Sequence, residues 1–223
     1  MVERVRVQRH ALSTRVVHWV LVAEGSFLLL SGLQLTGILN LGLPDIAYSL
    51  HVTAGLIFLF TALAFVYVVA ITREYKWFSL TRLPYSAYYN TREMLGWLRI
   101  MPPVAEPILY DASKHEYVEK LVPSVIVVWW GYITMGAVLA LTGLADAFPG
   151  TFWFVYSVAN PIGVALTGVG GLSFLMAIHR LAAFLLLATV TSHVYAAFVF
   201  KLLSSITRGD RDEPVVSGNP SLP

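Results

Sequence analysis

Four apolar stretches dominate the chain: roughly Val16 to Ile38, Ile46 to Ile71, Val122 to Ala145 and Leu172 to Phe200. Each reaches or exceeds the ~20 residues of helix that cross a hydrocarbon core. Inside lipid every backbone N–H and C=O needs a partner within the segment, so these stretches predict α-helices, and the expected fold class is an all-α integral membrane protein with four transmembrane helices. Composition agrees. Hydrophobic residues make up 57% and charged residues 13% of the 223 residues, against roughly 45–50% and about 25% in an ordinary soluble domain. The first stretch has full-span length and runs on into TGILNLGLPD without a small-residue cleavage site, so it reads as a mature membrane helix rather than a signal peptide.

The basic residues orient these spans. Fourteen of the fifteen Lys and Arg lie before span one, between spans two and three, or after span four. The turn 39–45 and the segment 146–171 carry none. The positive-inside rule then places both termini and the long middle loop in the cytoplasm, in an inner (cytoplasmic) membrane. A net charge of +2 leaves no basic excess suited to nucleic acid, and the absence of cysteine excludes disulfides and thiolate-held iron–sulfur clusters.

Residues 151–170 are apolar enough to offer a fifth span as an alternative. Asn160, Pro161 and three glycines interrupt them, which favours an interfacial or re-entrant segment. The loop 72–121 opens with an aromatic and basic run suited to lipid headgroups, and a short surface helix is expected over Tyr85 to Arg99, stopped by MPP. One membrane domain is expected over 1–209, with 210–223 as a flexible tail.

Ionisable residues inside spans cost roughly 2.5–3.5 kcal/mol for the strongly charged types, so those present call for a function. His18 opens span one, His51 starts span two, and His179 and His193 share span four. Fourteen residues at about 1.5 Å separate the last two by about 21 Å on nearly one face. With the orientation above, His18 and His193 fall in the inner half and His51 and His179 in the outer half. Two pairs at two depths are what two bis-histidine haems require, with all four residues as axial ligands of iron. Gly25 and Gly32, seven and fourteen residues after His18, and Gly55, four after His51, leave gaps for a porphyrin. Interhelical hydrogen bonding and close helix packing are the competing explanation of the same residues.

RVVHW at 15–19, SGLQLTG at 31–37, SLHVTAG at 49–55, ALTG at 140–143 and IHRLAAFLLLATVTSHVYAAF at 178–198 resemble the dihaem cytochrome b (gamma) subunits of membrane-bound formate dehydrogenases and nickel–iron hydrogenases. The resemblance runs from about Arg15 to Gly209. It implies a four-helix bundle with two haem b groups, His51 and His179 on the outer one and His18 and His193 on the inner one, the pairing that depth also gives. It further implies an extracytoplasmic iron–sulfur subunit and catalytic subunit as partners, and membrane quinone as the exchangeable substrate. No catalytic centre of the chain's own is expected beyond a quinone site.

That family's quinone pocket involves residues just before span three, where relatives often carry K-Y-N-x-x-Q-K. Here Lys114 and Lys120 match, but Glu116 and Glu119 replace Asn and Gln, so the hydrogen bonding does not carry over. His115, Glu116 or Glu119 would relay protons to the quinone, or else stand as solvated residues at a helix start. Glu24, the one carboxylate in span one, is either part of a proton path or a neutral group bonded to a neighbouring helix. Arg180, the exceptional basic residue, adjoins His179 and is expected to pair with a haem propionate or to snorkel outward.

The function expected is therefore an electron-transferring membrane anchor of a respiratory oxidoreductase complex. A quinol-oxidising anchor of a sulfur-compound reductase would run the same path backwards. From other classes, a small proton-coupled transporter without haem would use Glu24 and the histidines as a relay, although no repeated half is visible, and a cofactor-free anchor would leave four placed histidines unexplained.

Overall fold

The computed structural model describes residues 3–102, 104 and 107–215. A strand β1 (Arg4–Gln8) leads into helix α1 (Leu12–Leu35), then α2 (Ala47–Ile71), two short 3-10 turns and α3 (Leu83–Trp97). A hairpin of β2 (Leu109–Asp111) and β3 (Glu116–Glu119) precedes α4 (Ser124–Ala147), α5 (Trp153–Thr167), α6 (Gly171–Val199), the single turn α7 (Leu203–Thr207) and β4 (Asp210–Pro214). Helices α1, α2, α4 and α6 are long and apolar enough to cross a membrane, which makes this an all-α membrane fold of the four-helix-bundle class. Among the described residues the strands form two two-stranded ribbons.

Helix α5 has 15 residues. At about 1.5 Å each it rises ~22 Å, short of the ~30 Å hydrocarbon core. Pro161 lies within it, and Gly168 (φ 73°) ends it in the left-handed conformation with its N–H on Val164 O. Helix α3 begins at Pro84 in its first turn and stops before the prolines expected to stop it. Arg99 adopts φ 58°, and Ile100 N–H bonds back to Leu95 O at 2.9 Å, a left-handed cap that closes the helix locally.

The chain divides into two compact units. One holds the described residues of 1–15, 68–130 and 191–223. Its core is Tyr89, Ile108 and Val122, with Val104, Tyr117, Val125, Phe200 and Leu202 packed against them. Ser86 donates to Pro123 O, and Trp130 Nε1 donates to Phe78 O at 2.9 Å, which tie the loop after α2 to the start of α4.

The two arms of the chain meet in this unit as an antiparallel ribbon, Arg4 opposite Pro214 and Gln8 opposite Asp210. This corrects the flexible tail expected from 210 onward: residues 210–214 form β4, and Glu213 is fully buried. Its carboxylate accepts from Arg9 at 2.5 Å, from Arg211 at 2.7 Å and from the Tyr117 hydroxyl at 3.2 Å. Arg9 also donates to Lys120 O. A polar, proline-bearing segment is thus ordered by charge pairing, which hydropathy does not register. The rest of the expected tail, 216–223, lies outside the described residues.

The second unit holds 16–67 and 131–190, with most of α1, α2, α4 and α6 and all of α5. Tyr48 donates to Asp146 at 3.1 Å and Tyr156 donates to Ala145 O at 3.2 Å, linking α2 and α5 to the end of α4.

Candidate functional site

His51 and His179 come together in the second unit, with ring centroids 6.3 Å apart and ring planes at 70°. Each ring is held by the same device. Ser31, on α1, places its Oγ 2.8 Å from Phe27 O and 2.8 Å from His51 Nδ1. Thr142, on α4, places its Oγ1 2.7 Å from Val138 O and 2.8 Å from His179 Nδ1. A hydroxyl has one proton to give. With that proton on the carbonyl one turn back, the hydroxyl oxygen accepts from the imidazole Nδ1–H, which leaves Nε2 of both histidines with its lone pair.

The residue after each hydroxyl is glycine. A Cβ on Gly32 would stand 3.4 Å from His51 Cε1, and one on Gly143 would stand 3.4 Å from His179 Cε1. Anything beyond a methyl would displace the ring. Gly32 therefore serves the His51 ring, whereas the sequence counts it among gaps spaced from His18. Gly25 instead faces Phe58 and Gly55 faces Leu28.

These residues fit a haem. Iron bound by two opposed Nε2 atoms at roughly 2.0–2.1 Å, a usual metal–imidazole distance, separates ring centroids by about 6–6.5 Å. Among the described residues no group of three or more His, Cys, Asp or Glu is placed to hold a metal ion. Ser31 and Thr142 are buried at 6% and 5% exposure, while the imidazoles themselves are only half-buried. Ala182, on the His179 face of α6, is buried as well.

The other span histidines sit on the same four helices. His18 lies in the second turn of α1, its ring edge-on to Trp19 at 5.4 Å. His193 lies near the end of α6, fourteen residues after His179. Arg180 is exposed. On α1, Glu24 Oε1 accepts from the Thr61 hydroxyl of α2 at 3.0 Å, and Glu24 Oε2 is buried with no hydrogen-bond partner among the described residues.

Residues 114–120 do not form the start of the third span. Lys114 and His115 belong to the turn of the β2–β3 hairpin, 116–119 form β3, and α4 begins only at Ser124, after Pro123. Asp111 Oδ1 accepts from Ser113 N–H, Ser113 Oγ and Lys114 N–H at 2.9, 2.6 and 3.2 Å, and Lys114 Nζ stands 3.6 Å from its other oxygen. These bonds, the Ser113 hydroxyl first, hold the Asp111 carboxyl below its ordinary value. His115 follows in the left-handed conformation, φ 54°, and Lys114, His115 and Glu116 are exposed at the tip.

Glu119 points back to an ion pair with Arg82. Burial pushes its carboxyl up, and Arg82 only partly opposes that. Lys120 pairs with Glu74. Burial nonetheless pulls the Lys120 ammonium down, and it pushes the Tyr117 hydroxyl well up. A cavity of about 300 Å³ lies here, lined by Thr72, Arg73, Glu74, Lys76, Trp77, Glu116, Tyr117 and Lys120. Of the residues singled out in the sequence, Glu116 and Lys120 line this cavity, while Lys114, His115 and Glu119 do not.

Ser31, Thr142, Gly143 and the cavity wall contributed by 72–77 are absent from the sequence candidates. The signal for the first three is a hydroxyl–glycine dipeptide at one end of a span, present in both SGLQLTG and ALTG.

Comparison with known proteins agrees with the geometry. The family described as prokaryotic cytochrome b561, of the nickel-hydrogenase cytochrome b kind, matches residues 9–209 and so takes in all four long helices. A search of curated proteins finds no match. Membership carries haem b binding, a multi-pass membrane location and a role in electron transfer. The chain belongs to the prokaryotic cytochrome b561 family.

Proposed function

We propose that the chain is the dihaem membrane subunit of a respiratory oxidoreductase of the formate dehydrogenase or hydrogenase type. In this role it carries electrons between an extracytoplasmic iron–sulfur subunit, with its catalytic partner, and membrane quinone. The observation that carries the proposal is the His51–His179 pair, with each Nδ1 2.8 Å from a hydroxyl oxygen; with each hydroxyl proton on its own helix, both Nε2 atoms are left to bind metal. Haem b bound there supplies one-electron redox chemistry at a potential tuned by its axial ligands.

The chain's own residues do the rest. Ser31 and Thr142 fix the tautomer of His51 and His179. His18 and His193 would hold the second haem at the opposite depth, and Arg180, adjoining His179, would pair with a propionate. The basic residues bias both termini and the 72–121 loop to the cytoplasmic side.

The cavity beside Trp77 and Tyr117 is the quinone headgroup site of the proposal. Its volume falls at the lower end of small-molecule sites, it combines two aromatic rings with Arg73, Lys76 and Lys120 as donors, and it opens directly after the end of α2. Glu116 at its rim and Glu24 within α1 are the carboxylates placed to handle protons. The test is to purify the whole chain with its haem and titrate it reductively in the presence of a soluble quinol. Two b haems reduced by quinol support the proposal. A chain that takes up haem but exchanges no electrons with quinol contradicts the quinone role.

A further inference from the structure

Two separate helix pairs in the second unit carry the same four-part arrangement. On α1 and on α4 a hydroxyl residue is followed by glycine. In each case the hydroxyl approaches the carbonyl one turn back, at 2.8 and 2.7 Å, and also stands 2.8 Å from a histidine Nδ1 on another helix. The two glycines leave their histidine Cε1 atoms the same 3.4 Å from where a Cβ would be. The chain shows no visible sequence repeat over these segments, and the partners lie 20 and 37 residues apart. Both halves thus reach one solution from different sequences, Ser-Gly in one and Thr-Gly in the other.

We propose that Ser31 and Thr142 are a matched pair of positioning residues that jointly set the redox potential of the single haem held by His51 and His179. This rests on the haem assignment above. An acceptor on the far nitrogen of a ligating imidazole fixes its orientation and raises its basicity, and so favours the more positive, ferric state of the metal. A hydroxyl is a neutral acceptor and does this mildly, whereas a carboxylate would draw the Nδ1 proton more strongly. Because each hydroxyl proton is committed to its own helix, the accepting lone pair has a fixed direction, and the glycine beside it lets the ring settle against the backbone. Two ligands of one iron tuned by equal means give effects that fall on the same haem and add.

The experiment uses the full-length protein in detergent or nanodiscs, with haem stoichiometry measured first and optical redox titration and ferric EPR second. Ser31→Ala and Thr142→Ala are each expected to raise the potential of the same haem. The expected size is about a tenfold change in its ferrous-to-ferric ratio at fixed poise, about 59 mV for one electron, and the double variant is expected to show roughly the product. Ser31→Thr and Thr142→Ser, each importing the hydroxyl used at the other site, should restore the parent values. The haem assigned to His18 and His193 should stay in place.

Unchanged potentials in haem-replete alanine variants would overturn the inference, as would shifts confined to different haems. Should alanine cost the haem itself, Ser31→Cys and Thr142→Cys keep side-chain volume with a weaker acceptor; a smaller shift of the same sign then supports the inference and no shift overturns it. If His51→Ala and His179→Ala retain both haems, the underlying assignment fails instead.

Discussion

The imidazoles of His51 and His179 face one another across the second unit at a centroid separation of 6.3 Å. The two residues lie on α2 and α6, so each contributes one side of a shared site. Replacing either by alanine is expected to remove the same haem, halving haem content, while the other remains. His18→Ala and His193→Ala are expected to remove the remaining one. Pyridine haemochrome assay of the four purified variants gives the haem content and optical redox titration shows which haem remains; loss of different haems from His51→Ala and His179→Ala would separate the pair.

The buried carboxylate of Glu213 balances two guanidiniums, Arg9 and Arg211. Glu213→Ala leaves those charges buried without their partner and is expected to cost about 3–5 kcal/mol. Thermal unfolding of the detergent-solubilised variant should show a clearly lowered midpoint, whereas Arg4→Ala, at the exposed ribbon edge, should change it little.

Asp210 faces Arg6 across the β1–β4 ribbon at 2.8 Å, and this bond is the largest cause holding its carboxyl below the ordinary value of 3.8. A depressed folded value means that its contribution is fully present above the ordinary Asp range and is lost as pH falls through the lowered one. Protection of the β1 and β4 amides, taken relative to the intrinsic exchange rate at each pH, should fall on acidification in that window. Arg6→Ala should flatten the dependence; an unaltered pH profile would show that the ribbon does not depend on the pair.

Within α5, a Cβ on Gly163 would meet Val169 O at 2.5 Å and Phe174 Cγ at 2.6 Å. Backbone sits on one side of the contact, so relief requires moving the start of α6. Gly163→Ala is expected to destabilise by about 1–3 kcal/mol, read as a lower unfolding midpoint, whereas Gly136→Ala, with open space at its Cβ, should be neutral or better.

Glu24 keeps one oxygen on the Thr61 hydroxyl, and its other oxygen has no hydrogen-bond partner among the described residues. Glu24→Gln preserves the first contact and removes the ionisable group. Haem content is expected to stay intact while quinol-linked electron transfer slows by about 10²-fold. A full rate in that variant would remove Glu24 from the proton path.

The spans and their histidines were legible because both rest on strong, local signals. Apolar length needs no partner to be recognised, and a histidine in lipid demands explanation wherever it falls. The predicted ends differ from the helices by at most four residues, most at α1, which starts at Leu12 rather than Val16 because the lead-in Leu12 to Arg15 is already helical, while the end of α2 at Ile71 coincides. What escaped is what depends on distant pairing. Residues 210–214 read as a polar tail because nothing local shows that Arg6 and Arg9 form ion pairs with Asp210 and Glu213. Residues 114–120 read as a proton relay or as solvated residues at a helix start, and not as a hairpin, because an Asx turn at Asp111 is a weak signal beside a long apolar run. Ser31 and Thr142 carry no charge and sit among apolar residues, so their role appears only once the rings of His51 and His179 are seen against them.

The most direct test of the account is haem b per polypeptide in the purified, full-length membrane protein, measured together with its low-temperature spectrum. The expected result is two low-spin haems per chain. A stoichiometry of one, or a high-spin spectrum from a site lacking its second imidazole, would contradict the paired assignment of His51 with His179 and His18 with His193.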